Sequence, residues 1–560
     1  MRPFVLYALI LAAGCGGARP LVDGPRYANQ PIVWRVNDRL DVPKPAVRLY
    51  ARTLYHIDGF VVRRLTRLMD VRDPVRATNV NALDEVPDST WFTNRIGIRD
   101  LALEEIRRGP NRGAGPENHK PWTIKGSKVG GLSIGFIMKD AEGGKYLLKF
   151  DHKQHPLLET AADVIGQRIL WACGYNVPED NIVQFTRGDL VLAPDAVNKG
   201  TFGPATPLTA SDLDARLAKI NMAADGTTRG LASKFLGGVP VGPFSREGVR
   251  ADDPNDLIPH EQRRELRGQV AIFAWLNHSD IQEDQTLDMW VEDPRDPKRH
   301  YIVHHILDFG KAIGVSGRQN EWQYIGHAEQ IDFDYMFRSL LSFGLWKRPW
   351  EDVVAPKLPG VGLFDVASYN PGAWRTNSQY WPFKDADRFD AFWGAKLIMR
   401  FTREQLEAIV DEARLPDPAA RAYLVDTLVA RQRATAAYWF KRVNPLDAFT
   451  VERAGDAAYR LCFDDLTIRY DLDEVGRHLT RYKAEAADFD GKPTTWTGTA
   501  PLTSSGRTCM TGIQPAKTHD GYTIVRIWTL RGALGVLPTQ VHLAIAPETG
   551  ALRVIGVHRE

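Results

Sequence analysis

Two runs of strand-forming residues, joined by a short turn, constrain this chain more than any other feature. Residues 286–291 and 301–307 are rich in the apolar, β-branched and aromatic residues that are typical of strands, and the acidic, proline-containing stretch between them is typical of a turn. The runs therefore predict a hairpin. The loop His-Ser-Asp-Ile-Gln-Glu-Asp-Gln, at 278–285, precedes the hairpin, and Asp308-Phe309-Gly310 follows it. The order of acidic loop, hairpin and acidic turn is the most specific pattern in the chain.

A second group of strands is predicted before this hairpin. Residues 123–125, 131–139 and 146–150 have strand character, and glycine-rich stretches join them. A helix follows, because apolar residues recur at helical spacing from Leu158 to Ala172 until Gly174 ends the pattern. Further strand candidates lie at 181–185, 190–193 and 230–236.

Lys149 is a cation inside an otherwise apolar strand. Burying an ammonium group is costly unless an anion meets it, and Glu159, near the start of the following helix, is the partner that we predict. The alternative is an edge strand with Lys149 in water. In that case Glu159 is a helix-start acid that suits the helix dipole.

The first two strands of this group are joined by the glycine-rich stretch 126–131. Glycine lets backbone N–H groups approach phosphates closely, so this stretch is a candidate phosphate contact. It contains neither a P-loop nor a G-x-G-x-x-G pattern, and glycine-rich hairpins are common without a ligand. The candidate phosphate-binding residues are Gly126, Ser127, Lys128, Gly130 and Lys149.

The second half of the chain is predicted to be mostly helical and then to return to strands. Pro259 begins a helix that runs to Leu276, Thr402 begins another with a capping box, and 424–440 forms a long amphipathic helix. Alternation resumes beyond Pro445 and predicts a small all-β domain, with strands at 523–528, 541–545 and 552–557.

The first residues predict export. One positive charge at Arg2 precedes an apolar stretch from Phe4 to Ala13, which is too short to span a bilayer as a stable helix. Gly14-Cys15 then resembles a bacterial lipoprotein cleavage site, which implies lipidation of Cys15. The alternative is an ordinary signal peptide cut near Ala13.

An amphipathic helix is predicted shortly after this signal and a proline-containing tether. Its apolar residues recur at helical spacing with arginines between them: Val47, Tyr50, Leu54, Ile57, Val61, Leu65 and Leu68. We expect this helix to pack on the next domain. A helix that lies on a membrane surface is the alternative.

Composition argues against several classes of protein. The 71 basic and 69 acidic residues nearly cancel, so nothing favours binding to nucleic acid. Four cysteines are too few for a disulfide scaffold, and none has the spacing of a metal site. Cys462 and Cys509 could pair in an oxidising compartment or remain free.

Between residues 122 and 445 the chain resembles a divergent protein kinase, closer in character to the HipA, CotH spore-coat and secretory-pathway kinases than to eukaryotic signalling kinases. The resemblance is carried by His278-x-Asp280-x4-Gln285, by Asp308-Phe309-Gly310 and by the strand lysine Lys149 upstream. The glycine signature of kinases is absent, and Gln285 stands where they have a metal-binding asparagine.

The resemblance implies a role for each of these residues. Lys149 and Glu159 would brace the α- and β-phosphates of ATP, and Asp280 would orient the attacking hydroxyl. Asp308 and Gln285 would hold Mg2+ or Mn2+. Since the periplasm and the cell exterior hold little ATP, the phosphoryl donor of an exported kinase is an open question.

Three functions therefore stand at this point. The first is an exported, nucleotide- and metal-dependent phosphotransferase acting on a protein, lipid or glycan of the bacterial envelope, in the periplasm or at the cell surface. The second is a pseudokinase that binds without transfer. The third is an envelope scaffold lipoprotein with no nucleotide site.

The predicted fold class is α+β, a two-lobed kinase-like domain with an N-terminal helical extension and a small C-terminal all-β domain. The predicted divisions of the chain are a signal peptide at 1–15, a tether and helical extension at 16–115, an N-lobe at 116–245, a helical C-lobe at 246–449 and a β domain at 450–560.

Overall fold

The structure is a computed structural model. It describes residues 24–71, 73–128, 134–199, 204–315, 323–455, 458–532 and 535–560. The chain divides into two compact units. The larger unit comprises Ile32–Pro445 with Leu466–Glu474, and the smaller comprises 24–31, Leu446–Asp465 and Val475–Glu560.

The larger unit begins with a helical extension. Its helices are α1 (Arg52–Ile57), α2 (Arg63–Leu68) and α3 (Leu103–Arg108), and the π-helical turn Asp58–Val62 joins α1 to α2 without a break in helical backbone. The side chains that this continuous helix buries are those of Tyr55 and Phe60. The predicted packing of this helix on the next domain is confirmed, since the Tyr55 hydroxyl donates to the Gln379 carbonyl oxygen at 3.2 Å and Arg67 forms an ion pair with Asp385. The apolar stripe faces solvent instead, because Leu54, Ile57, Val61, Leu65 and Leu68 are exposed.

A seven-stranded sheet follows. Its strands are β1 (Trp122–Ser127), β2 (Gly135–Lys139), β3 (Lys145–Lys149), β4 (Asp180–Phe185), β5 (Leu190–Asn198), β6 (Thr206–Pro207) and β7 (Thr228–Lys234). The order across the sheet is β4-β7-β3-β2-β1-β5-β6, and only the β1–β5 pair among these strands is parallel. Helix α4 (Leu158–Cys173) lies between β3 and β4 in the chain, and α5 (Ala210–Leu217) lies between β6 and β7.

Alternation along β3 decides which side chains enter the core of this sheet. Tyr146 and Leu148 are buried among the aromatic and aliphatic side chains of β1 and β2. Because successive side chains on a strand point to opposite faces, Leu147 and Lys149 lie on the other face. Helix α4 lies on that side, as the contact between Lys149 and Asp163 shows.

The remainder of the larger unit is mostly helical. It contains β8 (Val239–Pro240), α6 (Arg264–Leu276), β9 (Thr286–Asp293), β10 (Asp296–Ile306), α7 (Phe333–Leu341), α8 (Trp381–Lys384), α9 (Arg388–Ile398), α10 (Arg403–Asp411), α11 (Pro418–Phe440) and α12 (Leu466–Arg469). Strands β9 and β10 form the predicted hairpin, with Thr286 opposite Ile306. Helices α6 and α9 cross at Gly268 and Gly394, where a Cβ atom on Gly394 would collide with the backbone of Gly268.

The smaller unit is built mainly of strands. They are β11 (Leu446–Arg453), β12 (Tyr459–Asp465), β13 (Arg481–Ala487), β14 (Pro493–Pro501), β15 (Arg507–Ile513), β16 (Thr523–Leu530), β17 (Thr539–Ile545) and β18 (Leu552–Arg559). All but the first residue of the short helix α13 (Glu474–Arg477) also belong to this unit. One sheet has the order β11-β12-β15 and the other β14-β13-β16-β17-β18. Cys462 and Cys509 lie directly opposite each other on β12 and β15 and form a disulfide.

Across the residues that the structure describes, no helix has the length and apolar content that a membrane-spanning helix requires.

Candidate functional site

Three charged side chains meet where β3, α4 and the end of β10 come together. The ammonium nitrogen Nζ of Lys149 lies 2.8 Å from Oδ2 of Asp163 and 3.0 Å from Oδ1 of Asp308. Lys149 is 13% exposed and Asp163 is 3% exposed, whereas 54% of the Asp308 side chain remains accessible. We call these three residues the open cluster, since one of its two carboxylates is within reach of solvent.

The charges in the open cluster stabilise one another. Desolvation opposes the charge on Lys149, but the carboxylates of Asp163 and Asp308 outweigh it and raise the pKa of Lys149 well above its usual value. Lys149 in turn holds the pKa of Asp308 well below that of a free aspartate. The site therefore keeps a buried cation beside a partly accessible anion at neutral pH.

The backbone around Asp308 fixes the direction of its carboxylate. Asp308 has a φ of 61°, in the left-handed region that non-glycine residues seldom adopt. The next residue is anchored, because the Phe309 ring is fully buried and the Phe309 N–H donates to Oδ1 of Asp163 at 2.8 Å. This anchoring holds Asp308 in a conformation that directs its side chain to Lys149.

The predicted partner of Lys149 is wrong. Glu159 forms an ion pair with Lys311, and Asp163, one helical turn later, meets Lys149. A sequence signal did exist. Asp163 lies within the buried part of α4, beside Ala162 and Val164, and an acid in that position needs a cationic partner.

The glycine-rich stretch contributes one side chain to the electrostatics of the site. The positive charges at Lys128 and Lys149 both favour the ionised form of Asp308, while burial lowers the pKa of Lys128. The Ser127 hydroxyl instead donates to Oδ1 of Asn198 at 2.9 Å, so it is engaged with β5. Gly126 lies at an irregularity in the pairing of β1 with β2, and Gly130 lies outside the described residues.

The loop that follows α6 carries Asp280. Asn277 ends the helix in a left-handed conformation, and the Asn377 N–H donates to the Ser279 carbonyl oxygen at 2.8 Å. Asp280 is partly exposed, and its Oδ1 accepts from Nε2 of Gln282 at 2.9 Å. These contacts hold the Asp280 carboxylate at the surface of the loop.

His278 lies beneath this loop. Its ring is buried, with its centroid 4.7 Å from that of Phe273 and 6.1 Å from that of Phe309. Burial lowers the pKa of His278, whereas the charges of Asp280 and Asp308 oppose that change. The charges of both carboxylates therefore act on the pKa of this buried ring.

Gln285 is tied to the end of the hairpin. Its carbonyl oxygen accepts from the Leu307 N–H at 2.8 Å, which places it across from the residue that precedes Asp308. The Gln285 side chain is buried, and its Oε1 has no hydrogen-bond partner among the described residues. A buried carbonyl oxygen without a partner is costly, and a metal ion or a water molecule would satisfy it.

The oxygen atoms of Asp308 and Gln285 fit a hard divalent cation. Mg2+ prefers oxygen ligands and is commonly held by one or two carboxylates together with substrate phosphates. Within the described residues, no group of three or more His, Cys, Asp or Glu side chains is arranged to hold a metal ion alone. The donor set therefore suits a metal that arrives with a phosphate ligand.

Asp284 adds a third acid at this end of the loop. Burial, together with the negative charge of Asp280, raises the pKa of Asp284 to about 6, while Arg52 opposes the change. The charge of Asp308 also contributes to this shift. The charges of Asp280 and Asp308 therefore both act on Asp284.

A serine–histidine–aspartate grouping in the same unit does not form a nucleophile. Oγ of Ser245 lies 3.3 Å from Nδ1 of His260, and Nε2 of His260 lies 2.8 Å from Oδ2 of Asp256. However, Nδ1 is only 2.6 Å from the Ser245 carbonyl oxygen, which can only accept. That nitrogen must carry a proton, so it cannot act as a base toward the hydroxyl.

A large cavity of about 1150 Å³ lies elsewhere in the unit. It is lined by other residues, Trp171, Lys234 and Trp290 among them. The open cluster is thus not part of this cavity.

No protein-family model matches this chain, and no curated protein matches it. Two solved structures show a weak likeness. The Rio2 kinase–ADP/Mg2+–phosphoaspartate complex from Chaetomium thermophilum is 14% identical, with 51% of this chain and 70% of that chain covered and a TM-score of 0.20. Titin kinase with its flanking domains is 10% identical, with 77% and 76% covered and a TM-score of 0.17. At these TM-scores the likeness carries no argument, so the local geometry must carry the functional inference.

Of the predicted site residues, Lys149 and Asp308 are in direct contact. The backbone places Gln285 at the same end of the hairpin as Asp308. The charges of Asp280 and Asp308 both act on the buried ring of His278. Glu159 belongs to a neighbouring ion pair. The predicted lipidation residue, Cys15, lies outside the described residues.

Proposed function

We propose that the larger unit is a kinase-like phosphotransferase that uses a nucleotide and a divalent metal. The observation that carries this proposal is the contact of the strand lysine Lys149 with Asp308, the aspartate after the hairpin. Kinases place a lysine on their third strand and a metal-binding aspartate after their catalytic loop in the same order. β3 is the third strand of this sheet.

Each residue has a defined task in such a reaction. Lys149 and Lys128 present positive charge to the phosphates, and Asp308 and Gln285 supply oxygen ligands to the metal. The metal, when bound, neutralises the charge of the phosphates. Asp280 accepts the proton of an acceptor hydroxyl as the bond between the terminal phosphorus and the bridging oxygen breaks and the new P–O bond forms.

The proposed setting is the bacterial envelope. The signal-like first residues and Gly14-Cys15 support export with a lipid anchor at Cys15. The acceptor is then an envelope or extracellular protein, lipid or glycan. The disulfide between Cys462 and Cys509 supports an oxidising compartment, because cytosolic thiols are kept reduced.

Binding is tested first, through Asp308→Asn. The substitution keeps the shape of a side chain that is half exposed, so we expect the fold to survive and Mg-ATP binding to weaken by at least about tenfold. Isothermal titration with ATP in magnesium, and then in EDTA, measures the effect. Asp195→Asn is the matched control, since Asp195 is an exposed acid 3.0 Å from Lys125 on the same sheet. Equal binding by both variants would contradict the proposed site.

Transfer is tested separately, through Asp280→Asn. A phosphotransferase loses label transfer from γ-labelled ATP to envelope fractions in this variant, while its nucleotide affinity is retained. A pseudokinase remains the second candidate, because Gln285 places its oxygen about one C–C bond further out than the asparagine of kinases does. Binding without transfer in the parent chain would favour it.

A further inference from the structure

Two segments of the larger unit each turn a set of apolar side chains toward solvent. One is the helix formed by α1, the π-helical turn and α2. The other is α7 with the residues that follow it. We call the combined surface the apolar face; it comprises Leu54, Ile57, Val61, Leu65 and Leu68 from the first segment and Phe333, Met336, Phe337, Leu340, Leu341, Phe343 and Leu345 from the second.

Helix α7 is amphipathic, yet every one of its residues except Asp332 at its N-cap is at least partly exposed. Phe333, Met336, Phe337 and Leu340 follow the spacing of one helix face, and Leu340 is 72% exposed. Phe343, just beyond the helix, is 94% exposed. Contiguous apolar surface of this kind marks an interaction site in a soluble protein.

The first segment repeats this arrangement. Its apolar stripe has the helical spacing found in the sequence, but Leu54 is 67% exposed and Leu68 is 82% exposed. The helix is held instead through its other side, by Tyr55 and Phe60. Packing within the described part of the unit therefore does not use the stripe.

The two segments adjoin at one point. Arg64 Nη2 donates to the Ile331 carbonyl oxygen at 3.1 Å, and the Arg64 guanidinium lies 5.0 Å from the centre of the Phe333 ring. Segments more than 260 residues apart in the chain thus contribute to one surface. A partner that covers both must be extended.

We infer that this apolar face docks on the interface of a lipid bilayer. Helices that lie in that interface combine leucine and phenylalanine on one face with arginine or lysine beside it and with tryptophan at the boundary. Arg338 flanks the second stripe, and the half-buried Trp346 and Trp350 follow α7. Arg63 and Arg67 lie beside the first stripe, where they form ion pairs with Glu247 and Asp385. This is the chemistry of an amphipathic lipid-binding surface.

The beginning of the chain favours this occupant over a second copy of the protein. If Cys15 carries a lipid, as the proposed function holds, the 17 residues from Cys15 to Ile32 reach at most about 60 Å. The larger unit then stays next to the bilayer. A surface that is anchored so closely meets lipid far more often than it meets another copy.

A fluorophore on the apolar face tests the inference. The full chain carries Cys15→Ser to remove the anchor and Leu340→Cys for labelling with the environment-sensitive dye NBD. Cys173 is buried and the other two cysteines form the disulfide, so the dye reacts at position 340. With vesicles of phosphatidylethanolamine and phosphatidylglycerol, we expect the emission to shift to the blue and to rise at least twofold.

The control carries the dye at Val191→Cys, on β5, where the native side chain is 48% exposed. Its emission should not change with vesicles. If the chain sediments with vesicles but the dye at position 340 does not respond, the apolar first residues alone bind lipid and the inference is overturned. This readout is independent of nucleotide binding, so its failure leaves the proposed phosphotransferase untouched.

A double variant, Phe337→Asp with Leu340→Asp, measures the contribution of α7. Both side chains are exposed, so the fold should be retained, and vesicle binding should fall at least tenfold relative to Val191→Asp. Light scattering without vesicles measures whether the apolar face instead binds a second copy of the chain. A parent dimer that the double variant abolishes, together with unchanged vesicle binding, would assign the face to a second copy and reject the bilayer.

Discussion

Two clusters of buried charge in the larger unit differ in how much of their carboxylate remains accessible to solvent. The open cluster of Lys149, Asp163 and Asp308 leaves 54% of one carboxylate accessible. The cluster of Asp256, His260 and Arg263 is closed: its side chains are at most 7% exposed. Both Asp256 oxygens are taken, by His260 at 2.8 Å, by Arg263 at 2.9 Å and by the Arg250 N–H at 2.6 Å.

The difference lies in whether a carboxylate remains available to a ligand. In the closed cluster both oxygens of the carboxylate are engaged by the fold, so Asp256 has no accessible acceptor left for a ligand. The open cluster keeps an accessible carboxylate at Asp308. The neighbouring Leu307 N–H donates to the carbonyl oxygen of Gln285, whose side-chain Oε1 has no hydrogen-bond partner among the described residues. Burial of charge alone is therefore a poor guide to function, and residual binding capacity is a better one.

The largest expected effect comes from breaking the closed cluster. Asp256→Ala leaves Arg263 and His260 buried without their anion, so we expect the free energy of unfolding to fall by about 3–5 kcal/mol. Urea denaturation measures this loss. Where enough folded protein remains, its Mg-ATP affinity should equal that of the parent chain, and a selective loss of affinity would show that the closed cluster also serves the ligand.

The pH dependence of stability sharpens the contrast. Burial opposes the charge on Asp256, but His260 and Arg263 outweigh it and hold its pKa below the usual value. Its stabilisation is therefore present above the pKa of an unfolded aspartate, about 3.9, and is lost as the pH falls below that value.

Asp180 interacts electrostatically with Asp163 and Lys149 of the open cluster, and its pKa is shifted in the opposite direction from that of Asp256. Burial, reinforced by the charge of Asp163, raises its pKa to about 7. The folded chain then holds a proton that the unfolded chain releases between pH 4 and 7, so stability declines as the pH rises through this range. Asp180→Asn should remove that decline and stabilise the protein at pH 8 by at least about 1 kcal/mol. Thermal unfolding from pH 4 to pH 8 checks this, and an unaltered slope would contradict it.

The smallest effect is expected at Glu159. Its partner Lys311 is a quarter exposed, so Glu159→Gln should cost less than about 1 kcal/mol and leave Mg-ATP binding intact. The matched change one turn later, Asp163→Asn, should weaken binding, because Asp163 orients both Lys149 and Phe309. Titration of the two variants side by side decides which acid serves the site, and the reverse ranking would restore the pairing of Lys149 with Glu159.

Much of the site could be predicted from the sequence. The hairpin and its acidic flanks pointed to Asp308 and Gln285, since register along a strand is local and regular. The apolar surroundings of Lys149 also required an anion. These inferences depend only on neighbours in the chain.

What the sequence did not supply depends on tertiary packing. The choice between Glu159 and Asp163 is set by how α4 is rotated against β3, which neither segment encodes alone. The stripe on the N-terminal helix has the same periodicity whether it faces protein or solvent, so only the structure shows that Tyr55 and Phe60 hold the helix. Ser127 likewise has a partner 71 residues away, on β5.

The glycine crossing of α6 and α9 has a consequence for the loop that carries Asp280. Helix α6 ends at Leu276, directly before that loop, and its N-terminal part contacts the backbone of α9 where Gly268 meets Gly394. A methyl group added at position 394 would push the two helices apart where they cross. The resulting tilt would be carried along the roughly two turns of helix between Gly268 and Leu276, so the placement of Asp280 depends on a position with no chemistry of its own.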